Sequence, residues 1–212
     1  MAKKAAGKTA RKTTAKALAK PVGKPAGGTR TKSASKSAPK AAPRAAAKTA
    51  GAAAAPKCLV EGQRAPAFRL PRDGGGTVAL ADFAGRKLAI FFYPRADTPG
   101  CTREAIDFSH LKDAFAACNT AVLGVSADLP AKQATFRDKH GLTVPLGSDV
   151  THTMLNRYGV WGEKMLYGKT FEGIIRTTVL IGADGRVARL WRNVKVEGHA
   201  EEVLAAARAL SD

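Results

Sequence analysis

The first 57 residues of this 212-residue chain lack acidic side chains and aromatic ones. They carry 12 Lys and 3 Arg, whereas residues 58–212 hold the other 20 basic residues together with all 17 acidic residues. A segment without large apolar side chains cannot offset the conformational entropy lost on ordering. We therefore predict a disordered, Lys/Ala/Pro-rich basic tail over residues 1–57 and one folded domain over residues 58–212.

Cysteine and long apolar runs are also scarce. The chain has three cysteines, Cys58, Cys101 and Cys118, without a Cys-x-x-Cys pair, and only four histidines. This excludes a disulfide scaffold and a structural zinc site, so we expect a reducing compartment and no cofactor or metal. No apolar run approaches the ~18 residues of a membrane span. Lys16 and Lys20 interrupt any apolar core of a secretory signal, so we expect a cytoplasmic protein without a membrane partner.

One stretch of the domain combines a buried strand with a reactive group. Residues 88–93 are apolar, and Pro94 follows them, which is typical of a strand buried on both faces. Thr98 and Pro99 are favoured residues for the N-cap and first position of a helix. Apolar residues then recur every three or four positions and predict a helix that continues to about residue 117.

Cys101 would lie in the first turn of that helix. The helix N-terminus and nearby basic side chains favour the reactive thiolate form of a cysteine, and Arg95 and Arg103 flank Cys101 in the sequence. The surrounding residues are polar, which predicts an exposed position at the carboxyl end of a strand, where α/β proteins place active sites. The alternative is a small buried residue that only fills the core.

The remaining pattern predicts an α/β fold. Strands are expected at residues 67–70 and 77–80 around an Asp-Gly-Gly-Gly turn, at 121–126, and at 174–181 and 186–191 as a hairpin. Helices are expected at residues 130–140, 151–158 and 200–210. Buried strands with crossover helices and a late hairpin predict a mixed central sheet flanked by helices on both faces.

The residues around Cys101 resemble a known family. Tyr93-Pro-Arg-Ala-Asp-Thr-Pro-Gly-Cys-Thr-Arg-Glu-Ala is similar to the active-site segment of the peroxiredoxin Q, or bacterioferritin comigratory protein, branch of the peroxiredoxins. Segments beginning at Tyr158, Tyr167, Gly173 and Gly198 extend the resemblance over residues 58–212. It implies a thioredoxin-like fold and a peroxidase that reduces hydrogen peroxide and organic hydroperoxides. The implied reductant is thioredoxin, glutaredoxin or a small thiol.

The resemblance also implies roles for single residues. Cys101 would attack the peroxide and become a sulfenic acid, while Pro94 would shield the thiolate from water. The Thr98 hydroxyl would orient the peroxide; alternatively it only caps the helix. Arg176 lies in a predicted apolar strand, where a charge needs an anionic partner. The resemblance names the Cys101 thiolate as that partner, and the alternative is an arginine that faces solvent from an edge strand. Glu104 would hold an active-site arginine or lie on the helix surface.

The sequence departs from this branch at the resolving cysteine. Many members carry it five residues after the peroxidatic cysteine, where this chain has Ile106. On one continuous helix Cys118 would lie about 25 Å from Cys101 at ~1.5 Å per residue, whereas a disulfide needs Cα atoms within ~7 Å. We therefore expect Cys118 to be a packed residue and predict a one-cysteine mechanism completed by an external thiol. Cys58 is the alternative resolving residue.

The tail raises a second function class. A basic residue occupies every fourth position from Lys4 to Lys24 and from Lys32 to Lys48, and four prolines prevent one long helix. This composition resembles linker-histone tails and favours DNA binding through neutralisation of phosphate charge. The second hypothesis is therefore a nucleoid-associated protein whose domain is mainly a scaffold. The alternatives are a solubilising extension and an organelle transit peptide.

A cysteine hydrolase is a third possibility for the domain. It would use His110 or His152 as the base, but the sequence has no recognisable base motif. The four histidines are scattered, so surface or capping roles are expected for all of them.

Overall fold

The computed structural model describes residues 59–166 and 169–211. The predicted tail, the boundary of the domain and Cys58 lie outside the described residues. Nine strands are described: β1 (Arg69–Pro71), β2 (Thr77–Ala79), β3 (Lys87–Phe92), β4 (Thr120–Ser126), β5 (Leu146–Ser148), β6 (Trp161–Leu166), β7 (Lys169–Ile174), β8 (Thr177–Ile181) and β9 (Val187–Arg192). The helices are α1 (Pro99–His110), α2 (Lys112–Ala117), α3 (Pro130–His140), α4 (Thr153–Arg157) and α5 (His199–Ala209), with a 3₁₀ turn at Leu80–Phe83.

The central sheet has five strands in the order β5-β4-β3-β8-β9. Strands β3, β4 and β5 are parallel, whereas β8 runs antiparallel to both β3 and β9. Strands β1 and β2 form a separate hairpin, and β6 and β7 form another. This confirms the predicted mixed sheet with flanking helices.

Strand β3 divides two hydrophobic cores because its side chains alternate between the faces of the sheet. Leu88, Ile90 and Phe92 contribute to one core, with residues of β1, β2 and α4. Phe91 belongs to the other core, which contains residues of α1, α2, α3 and α5. On β4 the residue beside Phe91 must be glycine, because a Cβ atom at Gly124 would lie 2.6 Å from the Phe91 ring.

Helix α1 covers the second face through a stripe of buried residues, Cys101, Glu104, Ala105 and Phe108. The Phe108 ring stacks on Phe91 with a centroid distance of 4.6 Å. The prediction of one helix to residue 117 was wrong. Helix α1 ends at His110, and Leu111 has a ψ of 2° before α2 begins. After this bend the Phe115 ring of α2 still packs near the Phe108 ring, with a centroid distance of 5.9 Å. The apolar residues therefore keep their regular spacing although the helix is broken.

The predicted strand 174–181 was also wrong. Ile174 ends β7, which pairs with β6, whereas β8 of the central sheet begins at Thr177. The connection between them is held by hydrogen bonds from the Ile175 N–H to the Val160 carbonyl and from the Val194 N–H to the Arg176 carbonyl. The β6–β7 hairpin and the short strand β5 were not predicted. Helix α3 has the predicted bounds, and the other elements differ from theirs by at most two residues.

Candidate active site

Cys101 is the third residue of α1, at the carboxyl end of β3. The Thr102 N–H donates to the Thr98 carbonyl at 2.8 Å, so the helix begins directly beneath the thiol and its free N–H groups point toward this end. Cys101 is only 1% exposed, which contradicts the predicted exposed setting. The polar neighbours in the sequence turn outward, while Cys101 lies on the face of α1 that packs on the sheet.

Arg176 contacts the thiol from the connection between β7 and β8. Its Nη2 atom is 3.2 Å from the Cys101 Sγ, and its Nη1 atom donates to the Glu104 carboxylate. The Arg176 side chain is 16% exposed, which contradicts the solvent-facing alternative. A Cβ atom at Gly100 would lie 3.4 Å from Nη2, so the guanidinium also lies beside the residue that precedes Cys101. The structure thus brings together two residues that are 75 positions apart.

Glu104 forms the other half of this ion pair. Burial raises the pKa of its carboxyl group to about 7 against the opposing effect of Arg176, and Asp107 raises it further. Its Oε1 atom is buried and has no hydrogen-bond partner within the described residues. The role of Glu104 was undecided from the sequence alone. Its spacing of three residues from Cys101, which places both on one helix face, was the available signal.

The two arginines that flank Cys101 in the sequence do not contact it. Arg103 is exposed and binds Asp107 at 3.0 Å along the outer face of α1. Arg95 is also exposed, and its carbonyl accepts a hydrogen bond from the Thr98 hydroxyl at 3.0 Å. Of these three arginines, Arg176 is therefore the one that contacts the Cys101 thiol.

Thr98 is the N-cap residue of α1, but its side chain makes no capping hydrogen bond, so the capping interpretation of the hydroxyl was wrong. Because the hydroxyl proton is directed to the Arg95 carbonyl, the Thr98 oxygen retains lone pairs that can accept a proton donor. Pro94 is exposed and ends the buried segment after Tyr93. The Tyr93 hydroxyl is hydrogen-bonded to Gln133, and burial raises its pKa far above the ordinary value.

The turn between Pro94 and Thr98 is fixed from two sides. The Ala96 N–H donates to the Asp128 carboxylate at 2.7 Å. Asp97 has a φ of 64° and binds Lys139 at 2.7 Å and His140 at 2.9 Å. Hydrogen bonds from His140 and Lys139 lower the pKa of Asp97. These anchors hold Thr98 in place, and none of them was identified from the sequence.

The other cysteine in the described region has a different environment. Cys118 is half-buried at the C-cap of α2, where its Sγ donates to the Phe115 carbonyl at 3.2 Å and lies 3.4 Å from the Thr120 hydroxyl. No group of three or more potential metal ligands occurs among the described residues. None of the helices that the structure describes is long and apolar enough to span a membrane.

The histidines do not form a hydrolase site. In the described part of the chain, neither His110 nor His152 contacts the Cys101 sulfur; His152 instead stacks on Trp161 with a centroid distance of 3.8 Å. The expected surface or capping role is wrong for His199. It is buried, its Nε2 lies 2.8 Å from the Thr178 hydroxyl, and burial lowers its pKa.

The sequence and the fold both match known proteins. A model of the AhpC/TSA family matches residues 61–190. The chain belongs to this family. The peroxiredoxin Bcp of Bacillus subtilis is 40% identical over 151 residues, which are 71% of this chain and 96% of that protein. The Escherichia coli peroxiredoxin Bcp is 40% identical over 146 residues, or 69% of this chain and 94% of that protein.

Solved structures agree with this assignment. Peroxiredoxin Q of Xanthomonas campestris superposes with a TM-score of 0.64 at 42% identity and covers 67% of this chain and 90% of that one. A cysteine-to-serine variant of Xylella fastidiosa PrxQ gives a TM-score of 0.69 at 36% identity, over 72% of this chain and 98% of that one. The described domain therefore has the thioredoxin-like peroxiredoxin fold. The protein is a thiol-dependent peroxidase that acts on peroxides and takes its electrons from a thiol reductant.

Proposed function

We propose that Cys101 is the peroxidatic residue and that the enzyme reduces hydrogen peroxide and organic hydroperoxides by a one-cysteine mechanism. The observation that supports this most directly is the contact between Arg176 Nη2 and the Cys101 Sγ at the N-terminus of α1. A guanidinium and the positive end of a helix both favour the thiolate.

In the first step the Cys101 thiolate attacks one oxygen of the peroxide O–O bond. The sulfur is oxidised to a sulfenic acid, the O–O bond breaks, and the other oxygen leaves as water or an alcohol after taking up a proton. Thr98 accepts the peroxide O–H through its free lone pairs, which aligns the peroxide. Arg176 stabilises the negative charge that moves from sulfur to oxygen. Pro94 limits the approach of water.

The second step requires a thiol from outside the described residues. Ile106 occupies the position of the usual resolving cysteine, and Cys118 bonds to the Phe115 carbonyl at the end of α2. An external thiol therefore attacks the sulfenic sulfur, releases water and forms a mixed disulfide. A second thiol regenerates Cys101. Thioredoxin, glutaredoxin or a small thiol can fill this role.

A relative supports the organic substrates. The bacterioferritin comigratory protein of Xanthomonas campestris, 41% identical to this chain, is described as having alkyl peroxide reduction activity. The partly exposed Ile175, which directly precedes Arg176, provides apolar surface for an alkyl group in this chain.

Peroxide-dependent consumption of dithiothreitol or thioredoxin tests the mechanism. We expect Cys101→Ser to lower the rate to background. Cys118→Ser and Cys58→Ser should each retain it within about twofold when the reductant is in excess. Full activity of Cys101→Ser would contradict the assignment of the nucleophile. Loss of activity in Cys58→Ser alone would show that Cys58 resolves the sulfenic acid and would contradict the one-cysteine mechanism.

We also propose that residues 1–57 bind DNA, because they carry 15 basic side chains and no acidic one. Neutralising ~10 phosphates would give a slope near −9 for log affinity against log salt concentration. An electrophoretic retardation assay should therefore show strong binding by the full chain at low salt and little at moderate salt. Equal affinity of a chain lacking residues 1–57 would contradict this proposal.

A further inference from the structure

One peptide unit of the active-site turn, residues 94–98, makes hydrogen bonds on both of its sides. The Arg95 carbonyl accepts the Thr98 hydroxyl proton at 3.0 Å. The N–H of the same peptide unit belongs to Ala96 and donates to the Asp128 carboxylate at 2.7 Å. A trans peptide unit is planar, so its C=O and its N–H point in opposite directions and rotate together. Asp128 therefore fixes the direction of the carbonyl that receives the Thr98 proton.

The Asp128 carboxylate is itself held in one orientation between β4 and α3. Its Oδ2 atom accepts a second hydrogen bond from the Ser126 hydroxyl at 3.0 Å, and its Oδ1 atom accepts one from the Lys132 ammonium. The Asp128 N–H donates back to the Ser126 Oγ atom at 3.0 Å. Because the side chain is only 13% exposed, water has little access to these bonds. The acceptor for the turn is thus oriented before a peroxide binds.

A buried glutamine on α3 connects this carboxylate to the residue before the turn. The Gln133 Oε1 atom accepts the Tyr93 hydroxyl, and its Nε2 atom donates to the Ser126 hydroxyl at 2.8 Å and to the Gly147 carbonyl at 3.2 Å. Burial raises the pKa of Tyr93 far above its ordinary value, so this hydroxyl remains a donor. The amide oxygen and both amide hydrogens therefore have partners. A buried network in which every member is satisfied favours a single arrangement.

The network begins and ends in the same stretch of chain. Tyr93 directly precedes the turn, and Ala96 lies within it. Ser126 ends β4, which pairs with β3, and Gln133 lies near the start of α3. The segment that follows the neighbouring strand therefore imposes the conformation of the active-site turn.

We propose that Asp128 is a positioning residue of the peroxidase reaction and orients the Thr98 hydroxyl through the Arg95–Ala96 peptide. This rests on the proposed role of Thr98 in aligning the peroxide. While the Thr98 proton is bound by the Arg95 carbonyl, the lone pairs of the hydroxyl are available to the peroxide O–H. Rotation of the peptide releases that proton and misaligns the peroxide, which slows the attack of the thiolate. The thiolate itself depends on Arg176 and the start of α1, so its formation is unaffected.

Two rates measured on the same variants test this proposal. Oxidation of Cys101 by hydrogen peroxide in stopped flow needs an aligned peroxide, whereas alkylation of Cys101 by iodoacetamide at pH 8, assigned by peptide mass mapping, does not. We expect Asp128→Ala to lower the oxidation rate constant about five- to fiftyfold and to leave alkylation within about twofold. Asp128→Asn keeps an acceptor oxygen for the Ala96 N–H and should stay within about threefold in both rates. Asp138→Ala removes an exposed aspartate of α3 that pairs with Arg137, and this matched control should change neither rate.

A double-mutant cycle tests whether Asp128 acts through Thr98. In a Thr98→Val background, Asp128→Ala should lower the oxidation rate constant by less than about twofold, because the hydroxyl that it orients is absent. Independent effects of the two substitutions would overturn the proposal. So would a wild-type oxidation rate in Asp128→Ala, an equal loss of oxidation and alkylation, or an Asp128→Asn variant as slow as Asp128→Ala.

Ser126→Ala keeps the proposal testable if Asp128→Ala does not fold. It removes one bond that holds the Asp128 carboxylate and should lower the oxidation rate constant about two- to fivefold at unchanged alkylation. An unchanged oxidation rate in that variant would then overturn the proposal. A wild-type rate in Thr98→Val would contradict the role of Thr98 in the proposed function, whereas a slow Thr98→Val with a full-rate Asp128→Ala would contradict only the role of Asp128.

Discussion

Cys101 and Cys118 are the same residue type on consecutive helices, yet their surroundings are opposite. Cys101 lies in the first turn of α1, fully buried, with the Arg176 guanidinium 3.2 Å from its sulfur. Cys118 follows the last turn of α2 and donates its S–H to the Phe115 carbonyl. A helix N-terminus favours a negative charge and a C-terminus disfavours one. We therefore propose that the helix end and the Arg176 guanidinium, rather than exposure to solvent, make Cys101 the reactive thiol.

Removing the Arg176 guanidinium should have the largest effect on the reactivity of Cys101. We expect Arg176→Met to lower the second-order rate constant with hydrogen peroxide about 10²- to 10³-fold, because the thiolate and the developing charge on oxygen both lose their partner. Stopped-flow measurement of Cys101 oxidation gives this constant. Arg103→Met removes an arginine that is nearer in sequence and that, among the described residues, pairs with Asp107. This variant should stay within about twofold of wild type.

Arg176→Met also leaves Glu104 buried without a partner, which can destabilise the fold. The double variant Arg176→Met/Glu104→Gln removes both charges and controls for this. Recovery of the rate in the double variant would contradict a direct role of Arg176 at the sulfur.

The proposed role of the Thr98 hydroxyl, three residues before Cys101, is a second difference between the two cysteine sites. We expect Thr98→Val to lower the same rate constant about 10- to 100-fold, equivalent to one lost hydrogen bond of ~1.5–3 kcal/mol. Thr98→Ser should remain within about threefold. A wild-type rate in Thr98→Val would leave the residue with only a structural role.

The raised pKa of Glu104, one helical turn after Cys101, should make the free energy of unfolding depend on pH. Its pKa of about 7 lies above the ordinary 4.5, so the folded state retains a proton that the unfolded chain releases. This contribution to the free energy of unfolding is fully present below pH 4.5 and is lost as the pH rises through 7. It amounts to about 3 kcal/mol.

Glu104→Gln should remove that dependence. Urea unfolding of the wild type and the variant at pH 4.5 and 8 measures it, and the variant should lose about 3 kcal/mol less between the two pH values. Equal pH dependence in both proteins would mean that Glu104 ionises normally.

The smallest effects are expected at Cys118. Cys118→Ala removes the hydrogen bond to the Phe115 carbonyl and should lower the free energy of unfolding by about 1 kcal/mol. The peroxidase rate should stay within about twofold of wild type. A much larger loss of activity, at unchanged stability, would indicate that Cys118 takes part in the reaction.

Local patterns were sufficient for the part of the site that is continuous in sequence. The apolar run of β3, the Thr98-Pro99 helix start and the position of Cys101 follow from rules that act over a few residues. The burial of Cys101 and its contact with Arg176 depend on how α1 packs against the sheet and the β7–β8 connection, which no local pattern contains. For the same reason the flanking residues Arg95 and Arg103 were misleading.

The β6–β7 hairpin escaped prediction because its sequence, Trp161 to Leu166, mixes glycine and charged residues where a strand with one buried face would alternate. The break at Leu111 was missed because apolar spacing persisted into α2. Both errors arise where tertiary packing overrides local preference.

The most direct test is to treat the protein with one equivalent of hydrogen peroxide in the presence of dimedone and to locate the adduct by peptide mass mapping. Dimedone reacts with sulfenic acids. We expect an adduct on Cys101, none on Cys118, and no disulfide between Cys101 and another cysteine of the chain. An adduct on Cys118 with Cys101 unmodified would contradict the assignment of Cys101 as the peroxidatic residue.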